Sequence, residues 1–459
     1  MSEPKIENIY QLDGKVPLAK AVPFGLQHVL AMFVANLAPI IIIAGAAGLS
    51  QDQVAMLLQN AMFVAGIATL IQLYPVWRVG ARLPIVMGVS FTFVSILCYV
   101  SATYGYGAAV GAVLVGGIFE GTLGLMAKFW RRIITPIVAA IVVTTIGYSL
   151  LGVGIRSFGG GYTESYGMMD NLVIAFITLA SCLLFNIFAK SYWKQLSVLF
   201  GLIVGYIVSI FAGIVDLSQI FSGSLFSLPA FLPFAPEFNW GAIVSVAIIF
   251  LVSAAETIGD TSAMTMAGLK REIKEKEISG SLACDGFASS ISSLFGCTPI
   301  TSFSQNVGLI AMTKVVNRFT IMTGAACMIL ASMFHPIGAF FASLPAPVLG
   351  GCTVMMFGAI MVSGIQMMAA AGLNQRNVTI AAISLSFGVG ATQASEAGIW
   401  QAMPQLVQDV FGANCVAVVF VISVLLSALL PKDMEIGAMG EVEVAENEEQ
   451  EEGKPEWNY

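Results

Sequence analysis

Pro299-Ile300-Thr301-Ser302-Phe303-Ser304-Gln305-Asn306 opens an apolar piece, residues 299–313, that is too short to cross a bilayer as a helix. Pro84-Ile85-Val86-Met87-Gly88-Val89-Ser90-Phe91 opens another, residues 84–101, in the same way. Each begins Pro-Ile, continues through a few strand-like residues and then turns helix-like. Aligning the prolines offsets the two by 215 residues and sets Ser90 opposite Gln305. Lipid offers the backbone no hydrogen bonds, so the extended part of such a piece must be shielded by protein. A strand that ends at a half-helix leaves N–H groups free to hold a ligand near mid-membrane. Interrupted segments at matching places in two halves are the mark of a transporter built from inverted repeats.

Outward from these pieces, apolar runs of spanning length occupy 20–46, 53–74, 107–127, 134–153, 170–189, 195–214, 238–258, 319–336, 346–370, 376–393 and 412–430. With 84–101, 279–294 and 299–313, which read as short or interrupted, there are fourteen segments. Lys and Arg, enriched in cytoplasmic loops, test that number. With the N-terminus inside, 19 of the 20 fall on the cytoplasmic side and only Arg156 falls outside. The expected fold is an all-α polytopic membrane protein with both termini cytoplasmic. Its 14 transmembrane segments form a 7+7 inverted repeat, and segments 3 and 10 are each a short strand plus a half-helix.

Composition agrees. Hydrophobic residues make up 57% and charged ones 10% of 459, against about 25% charged in soluble domains. The net charge of −7 is concentrated at one end. Residues 431–459 hold ten acids against Lys432 and Lys454, a tail expected to be disordered and cytoplasmic. Residues 1–18 read as a cytoplasmic N-terminus. The first apolar run is too long for the core of a cleavable signal peptide. No basic stripe supports nucleic-acid binding. The seven cysteines lack metal-ligand spacing, so neither a metal nor a cofactor is expected.

An ionisable group at bilayer depth costs roughly 2.5–3.5 kcal/mol on insertion scales, so each needs a reason. Glu256 and Asp260 lie four apart on one helix face in Ser253-Ala-Ala-Glu256-Thr-Ile-Gly-Asp260, with Glu256 the deeper. Asp285 stands in the short ninth segment. Carboxylates pressed together out of water suit proton exchange, which nominates Glu256, Asp285 and Asp260 for coupling. His28, in the first segment, is either a ligand contact or a clamp between helices. Glu120, among glycines in the fourth, reads as structural, and His335 beside Pro336 as uninvolved. A carboxylate at Glu256 accepts ring N–H groups. The Gln305 amide can pair with an adjacent C=O and N–H, and Phe91 can stack on a planar ring. A flat, uncharged or weakly acidic heterocycle fits that set better than a sugar or an inorganic anion.

Gln305-Asn306-Val307-Gly308-Leu309-Ile310-Ala311-Met312-Thr313-Lys314 resembles the signature of the nucleobase–ascorbate transporters, Q-N-x-G-x4-T-[R/K/G]. Glu256-Thr-Ile-Gly-Asp260 is similar to that family's eighth-segment motif, and Pro347-Val348-Leu349-Gly350-Gly351 to its twelfth-segment entry. The resemblance implies a core (19–130 and 238–336) and a gate (131–237 and 346–430) within 19–430, homodimers and elevator-like movement. It implies that Glu256 and Gln305 hold a purine, with Phe91 stacking and the Ser90 backbone assisting. Asp260, Asp285, Asn306 and His28 would arrange the site, and bacterial members usually couple uptake to protons, favoured here over Na+. Gln305 and Asp260 resemble the xanthine/urate branch, whereas uracil carriers typically have glutamate and histidine there. Val307 and Lys314 do not decide among purines. The alternatives are a uracil or other nucleobase symporter, or an anion transporter of the same 7+7 fold, which the deep Glu256 opposes. A membrane enzyme would need a nucleophile–base pair or a metal set that two distant histidines do not supply.

Overall fold

The computed structural model describes residues 8–126, 135–190, 192–215, 220, 225–395, 397–412 and 414–431. Helix α1 spans Leu18–Ala46 and α2 Gln51–Leu73, followed by strand β1 (Met87–Val89), α3 (Val94–Tyr104) and α4 (Tyr106–Leu125). Then come α5 (Pro136–Phe158), α6 (Met169–Phe188), α7 (Ser197–Phe211) and α8 (Trp240–Met264). Helix α9 (Glu275–Leu294) leads to strand β2 (Ile300–Ser302) and α10 (Ser304–Thr313). The last are α11 (Arg318–Ser332), α12 (Ala346–Ala370), α13 (Gln375–Gln393) and α14 (Cys415–Leu429). Among the described residues, seven helices are long and apolar enough to cross a membrane by length and composition: α1, α2, α4, α5, α6, α8 with its continuation to Leu269, and α12.

One segment is longer than its hydropathy implies. Residues 279–294 read as a short piece, but α9 is an unbroken helix of 20 residues. Its first turn holds Glu275, Lys276 and Glu277, which a search for apolar runs discards. Glu277 accepts the Lys274 N–H at 2.9 Å and both arms of the Arg271 guanidinium, closing the helix start. Most serines of α9 are buried, and several spend their hydroxyls on carbonyls of neighbouring segments. Ser290 donates to Leu114 at 3.0 Å and Ser292 to Thr298 at 2.7 Å.

The two strands pair antiparallel, Met87 opposite Ser302, Gly88 opposite Thr301 and Val89 opposite Ile300. Side chains from α1 and α2 complete the hydrogen bonding of β1: Asn36 Oδ1 accepts the Val89 N–H at 2.7 Å, and Thr69 Oγ1 accepts that of Met87 at 2.9 Å. These partners shield an extended backbone from lipid, as the short segments require. Met87 and its partner Ser302 are themselves 215 residues apart, the offset read from the prolines.

Helix packing shows the same relation. Helix α4 lies on α9 as α11 lies on α2, α8 on α4 as α1 on α11, and α6 on α7 as α13 on α14. Adding or subtracting seven exchanges the members of each pair, and the α5–α12 pair maps onto itself. Small residues permit the closest approaches. A Cβ on Gly286 of α9 would stand 2.0 Å from the Gly121 nitrogen of α4, and one on Gly350 of α12 2.1 Å from the Phe158 nitrogen of α5.

Residues ahead of α1 are tied down. Ile9 and Val16 are buried against Val315, and Asn317 Nδ2 donates to the carbonyls of Asn8, Gln11 and Gly14. Arg318 pairs with Asp13. The acidic tail from Lys432 onward and the core–gate boundary at 130–131 lie outside the described residues.

Candidate functional site

A cavity of about 910 Å³ lies where the two broken segments meet α8 on one side and α5 and α12 on the other. Glu256, Asp260, Phe91, Thr92 and Gln305 all line it, facing Ile146, Met356 and Ala359. The geometry follows from the chain breaks. Strand β1 ends at Ser90, the cap of a 3-10 turn (Phe91–Phe93) that runs on into α3, and β2 ends at Phe303, the cap of α10. Both turns therefore start inside the protein.

The starts of the two half-helices differ. Ser90 donates its own N–H to the Pro299 carbonyl at 3.0 Å, and its hydroxyl accepts the Thr92 N–H at 3.3 Å. The Ser90 N–H is thus bonded within the protein, while the residue itself lines the cavity. Helix α10 has no side-chain cap. It begins two residues earlier than the 215-residue alignment requires, so Gln305 lies in its first turn rather than opposite the Ser90 cap.

Glu256 receives one hydrogen bond, from Thr92 Oγ1 to Oε2 at 2.6 Å, and Oε1 accepts nothing from the described residues. The Gln305 side chain has no protein partner among them. Phe91 is nearly buried and meets Phe357 edge-on, ring centroids 5.3 Å apart at 80°. Asp260 lines the cavity beside Glu256. Helix α8 continues past it, Ser302 Oγ donates to it at 2.9 Å, and Ser304 Oγ donates to both its oxygens at 2.8 and 3.0 Å.

Asp285 is fully buried behind the cavity. It accepts from Thr257 Oγ1, from the Ser302 N–H at 3.3 Å and from Gln72 Nε2 at 3.4 Å. Ser302 therefore touches Asp260 through its hydroxyl and Asp285 through its backbone, linking a cavity carboxylate to a buried one.

His28 and Asn306, both expected at the ligand, do not line the cavity. They are buried and paired with each other: Asn306 Nδ2 lies 3.1 Å from the His28 carbonyl and 3.0 Å from its Nδ1. Their bonds clamp α10 to α1, the second of the two readings of His28. Glu120 is buried with neither carboxylate oxygen hydrogen-bonded. His335 starts a short helix, His335–Ala342, and does not line the cavity. Among the described residues no cluster of three or more His, Cys, Asp or Glu is arranged to hold a metal.

Thr92, Ser302, Ser304, Thr257 and Gln72 were not singled out from the sequence. Hydroxyls are common in membrane helices, and of these five only Gln72, an amide within an apolar run, carries a signal that could have found it. Lys314 shows why the signature's last position admits glycine: its φ is 59°, in the left-handed region where a side chain is strained.

The chain is similar to known proteins over most of its length. The profile of a permease family matches residues 19–397. A putative purine permease of Clostridium perfringens, CPE0397, is 32% identical over 445 residues, covering 95% of this chain and 96% of the relative. The xanthine permease XanQ of Escherichia coli is 31% identical over 439 residues, covering 92% and 94%. Among solved structures, the transmembrane domain of a cyanobacterial bicarbonate transporter, BicA, superposes with a TM-score of 0.55 at 17% identity, covering 81% of this chain and 99% of that one. That likeness speaks to fold alone. The relatives are permeases, integral multi-pass membrane proteins and not enzymes. Taken with the signature at Gln305–Lys314, these matches show that the chain belongs to the permease family of the nucleobase–ascorbate transporters.

Proposed function

We propose that this chain is a secondary transporter that carries a purine nucleobase, xanthine and/or uric acid, into the cell together with a proton. One observation supports it above all. Glu256 Oε1 and the Gln305 amide line a single cavity with no partner among the described residues, beside the Phe91 ring. A carboxylate acceptor and a two-way amide fit the N–H and C=O edges of an oxidised purine. The xanthine and purine permeases named above favour the same cargo.

In this reading fourteen segments cross the cell membrane and both termini are cytoplasmic. The core comprises 19–130 and 238–336, and the gate 131–237 and 346–430. The seven-step exchange of packing pairs supports the inverted repeat. The cavity, bounded by β1, α8 and α10 of the core and by α5 and α12 of the gate, suits an elevator-like movement of one against the other. Lys194 lines the cavity on the side read as cytoplasmic, so the mouth faces inward. A homodimer and H+ rather than Na+ complete the proposal.

The runners-up are distinguishable. A uracil carrier would favour the smaller ring, and an anion carrier of this fold would have to tolerate Glu256 and Asp260 in its cavity. Uptake of labelled xanthine into proteoliposomes under an inward proton gradient tests all three. Accumulation that collapses with a protonophore, and that urate blocks more strongly than uracil or adenine, is the expected result. Stronger block by uracil would move the assignment to pyrimidines. Bicarbonate or sulfate uptake without any nucleobase uptake would replace it with the anion reading.

A further inference from the structure

Four carboxylates lie on three helices that pack against one another: Glu120 on α4, Glu256 and Asp260 on α8, and Asp285 on α9. None forms an ion pair among the described residues, where the salt bridges involve Asp13 and Glu277 instead. Carboxylates that share a low-dielectric interior disfavour one another's charged forms.

The donors around each group differ sharply. Asp285 has Thr257, the Ser302 N–H and Gln72, and Asp260 has the hydroxyls of Ser302 and Ser304. Glu256 has Thr92. Glu120, 1% exposed, has none. Donors favour the charged form of a carboxylate, and a buried ion without them is strongly disfavoured even after relaxation. A neutral carboxylic acid avoids that cost.

The surroundings offer no substitute for a proton. Helix α4 packs on α9, α8 and α3. Helix α9 presents Cys284 and Asp285, and the Cys284 thiol donates to the Ala68 carbonyl. Helix α8 presents Glu256 and Asp260, and α3 carries Cys98, Tyr99 and Tyr104. At the two ends of α4, Glu237 meets Gly107 through its backbone and Arg78 donates to the Leu125 carbonyl. None of these donates to Glu120. Helix packing alone does not call for a carboxyl here, since none of the described residues bonds to it.

We propose that Glu120 is a proton-binding site of the transport machinery, holding one proton as a carboxylic acid and exchanging it as the charge of the Glu256–Asp260–Asp285 cluster changes. Asp285, with the most donors, is the counterpart whose charged form the protein supports best. Two carboxyl groups whose environments pull them apart in this way divide acid and base roles between them. The inference rests on the proton-coupled reading above, and deepens it by naming a second site for the proton.

Glu120→Gln mimics the protonated form in shape and cannot exchange a proton. Infrared difference spectra of purified protein, recorded across pH with and without xanthine, read the C=O stretch of a protonated carboxylic acid directly. The expected result is a wild-type band that varies with pH and with xanthine, and a specific loss of part of it in Glu120→Gln. In proteoliposomes the variant should move one proton fewer per xanthine and show a flatter pH profile. A variant spectrum identical to wild type would mean that Glu120 holds no proton, and overturns the proposal. So does an unchanged proton count, or a Glu120 band that ignores both pH and xanthine. If Glu120→Gln does not fold, Glu120→Asp keeps the carboxyl and must shift the band, and an unshifted band overturns the assignment. Failure of wild-type protein to retain labelled xanthine would instead contradict the purine reading, and the pH titration of the band would still decide Glu120.

Discussion

Glu256→Gln should abolish proton-driven xanthine accumulation while the protein remains folded in the membrane. The substitution keeps the side chain's shape, and the new amide oxygen can still accept the Thr92 hydroxyl that lies 2.6 Å from Oε2. What disappears is the charge at Oε1, the group left open toward the cavity. A hydrogen bond to a charged group is worth about 1.5–3 kcal/mol, so binding should weaken roughly 10- to 150-fold. Loss of a protonatable group at the ligand removes coupling as well, so what uptake remains should equilibrate rather than accumulate. Uptake assays on reconstituted protein, with thermal melting as the folding control, read both effects. Normal accumulation by this variant would take Glu256 out of the mechanism.

Gly286→Val should have the largest effect on folding. A Cβ there would stand 2.0 Å from the Gly121 nitrogen and 2.6 Å from the Gly117 carbonyl oxygen, both backbone atoms of α4. Neither can swing aside as a flexible side chain does, so α4 and α9 must separate. Overpacking typically costs about 1–3 kcal/mol and occasionally more, and a backbone clash belongs at the upper end. Separation would also pull Ser290 from the Leu114 carbonyl and shift Asp285, which sits one residue from Gly286. Size-exclusion profiles and melting temperatures of detergent-solubilised protein should show an aggregated or strongly destabilised variant. Gly308→Ala, where an added Cβ meets nothing within 4 Å, should melt like wild type. A Gly286→Val protein as stable as wild type would contradict the close crossing.

The broken segments were legible because Pro-Ile openings and interrupted hydropathy are properties of the chain itself. Glu256, Asp260 and Asp285 were legible for a related reason: a carboxylate inside an apolar run stands out against its surroundings. What the sequence hid is mostly contact between segments far apart in the chain. His28 and Asn306 each look like ligand groups alone, and only folding shows that the Asn306 amide nitrogen bonds His28 across 278 positions. Ser90 looked like a free helix start because its bond to Pro299 crosses between repeats. Helix α9 looked short because its charged first turn and its serines lower the hydropathy of a helix buried in protein rather than lipid. Thr92 and Ser302 gave no signal, since a hydroxyl in a membrane segment commonly bonds its own helix backbone.

The similarity to a bicarbonate transporter's membrane domain shows how little the fold says about cargo. The same architecture there serves an inorganic anion, and here it places two carboxylates at the cavity. Cargo must therefore be argued from Glu256, Gln305 and Phe91, and these can be tested without transport. Equilibrium binding of labelled xanthine to the purified protein, compared with Glu256→Gln and Gln305→Ala and competed with urate and bicarbonate, is that test. Saturable binding that urate displaces, bicarbonate does not, and each substitution weakens at least tenfold is the predicted result. Xanthine binding unaffected by both substitutions, or no binding by folded wild-type protein, would contradict the assignment of this cavity to a purine.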